Sequence, residues 1–143
     1  MTVRAILDLK GRDVTTIVPD KTLGDAASLL SQHKIGALVV TGADRRVTGI
    51  LSERDIVKAV SAGGAAALEE KIAARMTREV VTCGPHDTMA ELMGRMTAGR
   101  FRHVPVVENG RLVGIISIGD VVKHRLAEME RESSELRNYI MTA

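Results

Sequence analysis

The sequence is poor in side chains that several functional classes require. It contains no tryptophan, one phenylalanine (Phe101) and one tyrosine (Tyr139) in 143 residues, which argues against modules that stack nucleic-acid bases on aromatic platforms. A single cysteine, Cys83, excludes an internal disulfide and fits a reducing compartment. No apolar run approaches the ~20 residues of a membrane span, and charges interrupt the N-terminus where a signal peptide needs apolar residues. We therefore expect a soluble, cytoplasmic protein with no membrane partner.

An excess of charge of one sign is also lacking. Lysine and arginine number 20 against 18 acidic residues, for a net charge of +2. The basic residues are spread along the chain, unlike the electrostatic footprint of a nucleic-acid-binding protein. Apolar residues make up 45% of the chain, which is ordinary for a globular protein. The composition predicts one compact unit with an aliphatic core and no nucleic-acid partner.

An internal repeat organises what is present. Placing Pro19 on Pro85 aligns two stretches whose apolar residues recur at i, i+3, i+4 and i+7, which predicts one amphipathic helix in each. The apolar positions are Leu23, Ala26, Ala27 and Leu30 in the first copy, and Met89, Leu92, Met93 and Met96 in the second. Side chains suited to cap a helix precede both stripes: Asp20 and Thr22, Asp87 and Thr88.

Short β-branched runs follow each predicted helix, and Asn109-Gly110 is a strong hairpin signal. Each half therefore has the order strand-helix-strand-strand-helix, which predicts an α/β (α+β) fold. We expect the halves to pack face to face with pseudo-two-fold symmetry. The predicted divisions are residues 1–64 with an N-terminal helix, 65–127 with a linker helix, and a helical extension over 128–143.

The corner from strand to helix is written twice, as GILSERDIVK from Gly49 and GIISIGDVVK from Gly114. One interpretation is a capping box, in which Ser52 or Ser117 accepts from an amide at the helix start. The other is a binding site. A helix N-terminus attracts phosphate, and an aspartate one turn further suits the two hydroxyls of a ribose, with hydrogen bonds of about 1.5–3 kcal/mol each. Both interpretations stay open.

With this order duplicated and Gly-x-x-Ser-x-x-Asp closing each copy, the sequence resembles a pair of CBS (cystathionine-β-synthase) domains over about Val3 to Arg125. The resemblance implies a duplicated β-α-β-β-α motif, often dimeric, with clefts that bind AMP, ADP, ATP, NAD(H) or S-adenosylmethionine. It places ribose on Asp55 and Asp120, and phosphate on Ser52 and Ser117.

The resemblance also implies, more loosely, base contacts at the first strands, base-pocket contacts at the second strands, and phosphate contacts at nearby basic residues. The nucleotide-binding residues so expected are Thr16, Val18, Gly36, Ala37, Leu38, Gly49, Ser52, Arg54, Asp55, Thr82, Arg100, Arg102, His103, Val104, Pro105, Gly114, Ser117 and Asp120. We expect no metal ligands, and place Cys83 as a small buried thiol and His33 and His124 on exposed helix surfaces.

The two corners differ in charge. Arg54 precedes Asp55, whereas Gly119 precedes Asp120. Conversely, the first half has Gly36 and Ala37 where the second half has Arg102 and His103. If a phosphate lies near the pseudo-two-fold axis, Arg54 from one half and Arg102 or His103 from the other would converge on it. The sequence therefore predicts two sites of unequal affinity.

The C-terminal residues carry a heptad-like apolar seam beyond the repeat. Its members alternate by four and three: Val122, Leu126, Met129, Ser133, Leu136 and Ile140. The seam is either a homodimer contact or a surface for a partner helix.

The function expected from these features is non-catalytic: a regulatory sensor of adenine nucleotides that acts on a partner protein in trans. AMP and NAD(H) are favoured over ADP and ATP because few basic residues are available to neutralise a triphosphate. A structural dimerisation module with vestigial clefts is one alternative. A metal-dependent nucleotide hydrolase using Asp55 or Asp120 is another, although the chain has no P-loop, nucleophile elbow or clustered acid/base set.

Overall fold

A computed structural model describes residues 1–142 and leaves Ala143, the last residue of the predicted extension, outside the described residues. Helix α1 (Val3–Lys10) precedes the first half of the repeat. That half comprises β1 (Thr16–Ile17), α2 (Leu23–His33), β2 (Ala37–Thr41), β3 (Val47–Ser52) and α3 (Glu53–Gly63). A 3-10 turn (Gly64–Glu69) and helix α4 (Ile72–Arg75) lead to the second half. It comprises α5 (Met89–Gly99), β4 (His103–Glu108), β5 (Arg111–Ser117) and α6 (Ile118–Thr142).

Each half forms a small sheet covered by its helices. In the first sheet, β1 is parallel to β2, with Thr16 opposite Val39, and β2 is antiparallel to β3. In the second, β4 is antiparallel to β5, and a parallel bridge from Cys83 to Val106 replaces the strand that corresponds to β1. The duplicated β-α-β-β-α order is therefore confirmed, and the predicted first strand of the second half is reduced to one bridge.

Local signals account for the helix starts and one tight turn. The Thr22 hydroxyl accepts from the Asp25 amide at 3.1 Å, and the Thr88 hydroxyl accepts from the Glu91 amide at 3.2 Å. Both threonines are N-caps, as predicted. Asn109 and Gly110 have φ of 54° and 78° between β4 and β5, the left-handed pair that a two-residue hairpin turn requires.

The two short helices pack on the opposite halves from those that they precede in sequence. Val3, Ile6 and Leu7 of α1 belong to the core of the second half. Ile72 of α4, with Met76 just after it, belongs to the core of the first half. The first core is therefore built from one continuous stretch, Ile17 to Met76, while the second joins α1 to residues 83–121. The predicted boundary between residues 64 and 65 stays a prediction. The two hydrophobic cores divide the chain differently, because each includes a short helix from the other side of that boundary.

Hydrogen bonds between the two β-hairpins join the halves at one end. Arg45 Nε donates to the Leu112 carbonyl at 3.2 Å, and Arg111 Nε donates to the Asp44 carbonyl at 3.2 Å. Elsewhere the imidazole of His103 lies beside Gly36, with its Cε1 3.5 Å from where a Gly36 Cβ would be. The two halves therefore touch directly at both places.

The first turns of α6 pack against the second core through Val121 and His124. His124 is buried, and its Nε2 lies 3.0 Å from Glu128 Oε1. The prediction that His124 is exposed is wrong because α6 turns the face of Val121 and His124, not that of Val122, toward the core. Within residues 1–142, no helix combines the length and the apolar character needed to cross a membrane.

Candidate functional site

Both repeated corners are capping boxes. Asp55 Oδ2 accepts from the Ser52 amide at 2.9 Å and from the Ser52 hydroxyl at 3.1 Å, while the Asp55 amide donates back to Ser52 Oγ at 3.3 Å. Ser117 and Asp120 repeat this geometry at 2.8, 3.0 and 3.2 Å. The capping interpretation is therefore confirmed. Within the capping boxes, each carboxylate accepts only through Oδ2, so Oδ1 is left for other partners.

A hydrogen bond to the start of the adjacent strand positions each helix start. The Glu53 amide donates to the Gly36 carbonyl at 3.0 Å, and the Ile118 amide donates to the Arg102 carbonyl at 2.7 Å. These equivalent bonds fix the corners against the beginnings of β2 and β4. Ser52 and Asp55 are therefore held by main-chain geometry.

The first corner opens into a cleft of about 870 Å³ whose walls come from both halves. The first half supplies the Ser52–Asp55 corner and the start of β2 at Gly36 and Ala37. The approach to β4 supplies cationic and imidazole groups, namely Arg100, Arg102 and His103. Arg54 lines the same space, so the convergence of Arg54 with Arg102 and His103 that the charge pattern predicted is present in this cleft.

Three classes of side chain line the cleft. Its apolar side chains are Ala37, Ile50, Val57, Val80, Val81 and Phe101. Its carboxylates are Glu53, Asp55 and Glu79, and its guanidinium groups are Arg54, Arg100 and Arg102. An apolar wall suits a planar base, guanidinium groups suit phosphate, and a carboxylate suits vicinal hydroxyls. This arrangement can bind an amphipathic anion such as a nucleotide.

His103 is held toward its neutral form. Burial lowers its pKa from the ordinary 6.5, and the neighbouring Arg102 lowers the pKa further, against weaker opposing effects of Asp120 and Glu53. At neutral pH the imidazole is therefore a neutral hydrogen-bonding group in the cleft. It becomes a cation only in more acidic solution or beside an added negative charge.

The remaining predicted residues lie apart from this cleft. Leu38 and Val104 are fully buried in the two cores, and Pro105 accepts from the Cys83 amide through its carbonyl at 3.0 Å. Thr82 immediately follows Val81 of the cleft wall, while Thr16 and Val18 lie in and just after β1. Contacts of these residues with a ligand stay predictions.

Gly49 and Gly114, also predicted as site residues, each lie against a core side chain. A Cβ on Gly49 would lie 2.5 Å from Met76 Sδ, and one on Gly114 would lie 2.7 Å from Leu7 Cδ2. These glycines therefore let the two short helices approach β3 and β5. Their place in the repeated motif therefore has a packing cause.

The second corner differs from the first because Lys10 covers it. Lys10 Nζ donates to Asp120 Oδ2 at 2.7 Å and to the Ile115 carbonyl at 2.9 Å. In the first half the equivalent carbonyl, that of Ile50, accepts from the Thr77 amide at 2.9 Å. A lysine side chain thus occupies the place that a main-chain amide takes in the other half.

The ammonium group of Lys10 also sets the protonation of Asp120. Burial alone would raise the pKa of Asp120, but the hydrogen bonds from Lys10 and from the Ser117 amide and hydroxyl outweigh it. Together they hold the pKa below the ordinary 3.8. Asp120 is therefore an ion-paired carboxylate at neutral pH.

Sequence reasoning missed Lys10 and the stretch from Thr77 to Val81, four residues of which line the first cleft. Both placements follow from the exchange of α1 and α4 between halves. The signal for this exchange was weak: the apolar residues of α1 and α4 mark each helix as half-buried without showing on which half. Phe101 was also missed, although it lies between two predicted site residues.

The thiol of Cys83 and the grouping of possible metal ligands add no further site to the described residues. Cys83 is buried, which raises the pKa of its thiol to about 12, with a smaller contribution from Asp87, so the thiol is protonated at neutral pH. Among residues 1–142, no three His, Cys, Asp or Glu side chains are grouped as metal ligands would be.

Comparisons with known proteins identify the repeat. The CBS domain family is matched twice, over residues 6–62 and 70–127. The CBS domain-containing protein CBSX3, mitochondrial, of Arabidopsis thaliana is 35% identical over 125 residues, which span 85% of this chain but only 61% of that protein. This chain therefore aligns with less than two thirds of that relative.

Two solved structures show the same fold. The CBS-domain containing protein ATU1752 from Agrobacterium tumefaciens is 59% identical, with a TM-score of 0.83 over 87% of this chain and 92% of its own. The CBS domain pair of protein MJ0100, in complex with 5′-methylthioadenosine and S-adenosyl-L-methionine, is 25% identical, with a TM-score of 0.80 over 90% of this chain and 98% of its own.

Proposed function

Because the chain belongs to the CBS domain family, with two such domains in tandem, we propose that it is a non-catalytic regulatory module that binds an adenine nucleotide in the cleft at Asp55. The observation that carries the proposal is the cleft itself. One space of about 870 Å³ joins the Ser52–Asp55 corner of one half to Arg102 and His103 of the other. The adenosyl ligands of MJ0100 support the same class of ligand.

Each part of a nucleotide has a complementary group in this cleft. The ribose hydroxyls donate to Asp55, whose Oδ1 is not used by the capping box. The phosphate lies between the start of α3, with Arg54, and the guanidinium group of Arg102. The base packs on the apolar wall that includes Val81 and Phe101.

The charge of the cleft favours ligands with few phosphates. Three guanidinium groups face three carboxylates in the walls, so little positive charge remains to neutralise a triphosphate. AMP and NAD(H) are therefore the preferred ligands, and ADP and ATP bind more weakly. The second corner binds more weakly still, because Lys10 occupies Asp120.

Regulation follows from the position of the cleft between the halves. A ligand that contacts Asp55 on one side and Arg102 on the other is bound best by one relative position of the two halves. A partner protein that binds this position preferentially is then coupled to the nucleotide concentration by linkage. We propose that this partner is a separate protein and that the module acts as a homodimer in the cytoplasm.

The test is a ligand screen on the full chain by thermal shift and calorimetry, with AMP, ADP, ATP, NAD⁺, NADH and S-adenosylmethionine. AMP or NAD(H) should raise Tm in proportion to the logarithm of its concentration above Kd. Asp55→Asn should weaken binding about tenfold or more, the equivalent of a lost hydrogen bond to a charged group.

Asp120→Asn is the matched control, since it perturbs an equivalent capping box at a residue that does not line the cleft, and it should change Kd much less than Asp55→Asn does. Equal losses from both substitutions would contradict the assignment of the ligand to the Asp55 cleft. Binding of none of the six compounds would contradict the proposed function and leave the dimerisation module as the better explanation.

A further inference from the structure

Helix α6 extends well past the body of the protein. Its 25 residues, Ile118–Thr142, form one continuous helix, about 37 Å long at ~1.5 Å per residue. Only Val121 and His124 are buried, and every residue from Met129 to Thr142 is exposed. A helix segment of this length without packing is marginal in water, where isolated helices shorter than about 12–15 residues barely form. The segment therefore requires contacts that its own chain does not supply.

One face of this helix carries the apolar seam, here called the α6 seam. Its members are Val122, Leu126, Met129, Ser133, Leu136 and Ile140. The side chains of Val122, Leu126 and Leu136 are exposed by 50%, 56% and 61%. The spacing by four and three places them along one line of a supercoiled pair, with Leu126 at an a position and Met129 at a d position.

We propose that the α6 seam binds the same seam of a second copy of this chain, with the two helices parallel and in register. The argument rests on the charges that flank the seam. Arg125 and Glu132 fall at g positions, and Glu130 and Arg137 fall at e positions. In a parallel pair, each g residue faces the e residue five positions further along the other helix. Arg125 then faces Glu130 of the second copy, and Glu132 faces Arg137, so all four pairs are attractive.

An antiparallel pair does not have this complementarity. Full overlap of the seam in that orientation sets Val122 opposite Ile140 and Leu126 opposite Leu136. The centre then brings Glu130 beside Glu130 of the other copy and Glu132 beside Glu132, which is repulsive. The orientation that buries the whole seam with favourable charges is therefore the parallel one.

The charged residues at one end of the seam are available for such a contact. Within residues 1–142, the salt bridges of α6 join Asp120 to Lys10, and Glu128 to His124 and Arg125. Neither Glu132 nor Arg137 takes part in a salt bridge in this part of the chain. Substitutions of Glu132 and Arg137 therefore break no salt bridge of the described chain, whereas a substitution of Arg125 would also remove its contact with Glu128.

The experiment measures the monomer–dimer equilibrium of the full chain by analytical ultracentrifugation over a range of concentrations. The wild-type protein is expected to dimerise. Glu132→Arg and Arg137→Glu should each weaken the dimer at least about tenfold by creating like-charge pairs. The double substitution Glu132→Arg with Arg137→Glu should restore a Kd within about threefold of wild type, because both pairs become attractive again.

The single variants also distinguish the orientations. In the antiparallel arrangement Arg137 lies near Lys123 of the other copy, so Arg137→Glu would tighten the dimer and overturn the proposal. A monomeric wild-type chain, or a double variant no better than the singles, would also overturn it. As a second readout, Ser133→Cys should form a disulfide-linked dimer under mild oxidation, since residue 133 faces itself only in the parallel pair. The native Cys83 should not compete for this disulfide, because its thiol is buried and protonated.

Discussion

Lys10 Nζ lies 2.7 Å from Asp120 Oδ2, 110 residues away along the chain. In the first half the residue at the matching place in the repeat is Met76, which packs against Gly49 and makes no ion pair with Asp55. The two corners share a capping geometry, and a single side chain from a helix outside the motif distinguishes them. The unequal affinities predicted from Arg54 and Gly119 are therefore also expected from Lys10, which contacts Asp120 directly.

Replacing Lys10 is expected to open the second corner. Lys10→Met supplies the residue that the first half uses, removes the ammonium group from Asp120 and alters no side chain that lines the Asp55 cleft. Calorimetry with AMP or NAD(H) should give one strong and one much weaker site per chain for wild type, and the Kd of the weaker site should fall in the variant. Arg12→Met is the control, because Arg12 pairs with Asp8 near the same helix end. Two equal sites in wild type, or one in both proteins, would contradict the role given to Lys10.

Gly114→Ala is expected to destabilise the fold by about 1–3 kcal/mol, the usual cost of overpacking. The added methyl group would lie 2.7 Å from Leu7 Cδ2, and Leu7 is almost fully buried. Gly94→Ala is the control, since nothing lies within 4 Å of its Cβ position in α5. That change should be neutral or stabilise by up to about 1 kcal/mol. Urea denaturation measures both, and equal free energies of unfolding would argue against the packing role of Gly114.

The pKa of His103 provides a pH-dependent prediction. Its folded-state pKa lies below 6.5, so the unfolded chain binds more protons and stability falls as pH falls through the unfolded value. A bound phosphate should raise the His103 pKa, because a nearby anion favours the imidazolium. Nucleotide binding should then take up protons and tighten between pH 7.5 and 6.

Imidazole NMR titrations with and without AMP measure this shift. Arg102→Gln is the companion variant: it should raise the His103 pKa in the ligand-free protein, since Arg102 is the second cause of the lowering after burial. A pKa of 6.5 or above in the ligand-free wild type would contradict the prediction, as would a pKa that AMP leaves unchanged.

Local patterns predicted the fold well because each signal acts within a few residues. The caps at Thr22 and Thr88 and the turn at Asn109-Gly110 depend only on neighbours in sequence. The duplicated Ser-x-x-Asp corner likewise became a capping box in both halves. Part of the site followed from the repeat, since Arg54, Arg102 and His103 do line one cleft with Asp55.

The rest of the site depends on long-range packing that no local pattern encodes. Leu7 and Ile72 have similar apolar surroundings in sequence, so nothing there shows that each packs on the opposite half. The contact of Lys10 with Asp120 follows from that exchange. His124 was misplaced for a related reason: α6 presents Val121 and Val122 on different faces, and only the tertiary structure shows which one is buried.

The exchange of the two short helices brings the beginning of the chain against its second repeat. The first helix of the sequence, with Val3 and Leu7, completes the core of the last repeat, so the beginning and the final third of the repeat region fold as one body. Substitutions of the buried residues of α1 should therefore destabilise the core around Met89 and Ile116, far along the chain, and not the neighbouring β1. Two similar copies in the sequence thus correspond to one hydrophobic core built from a continuous stretch and one built from two separate stretches.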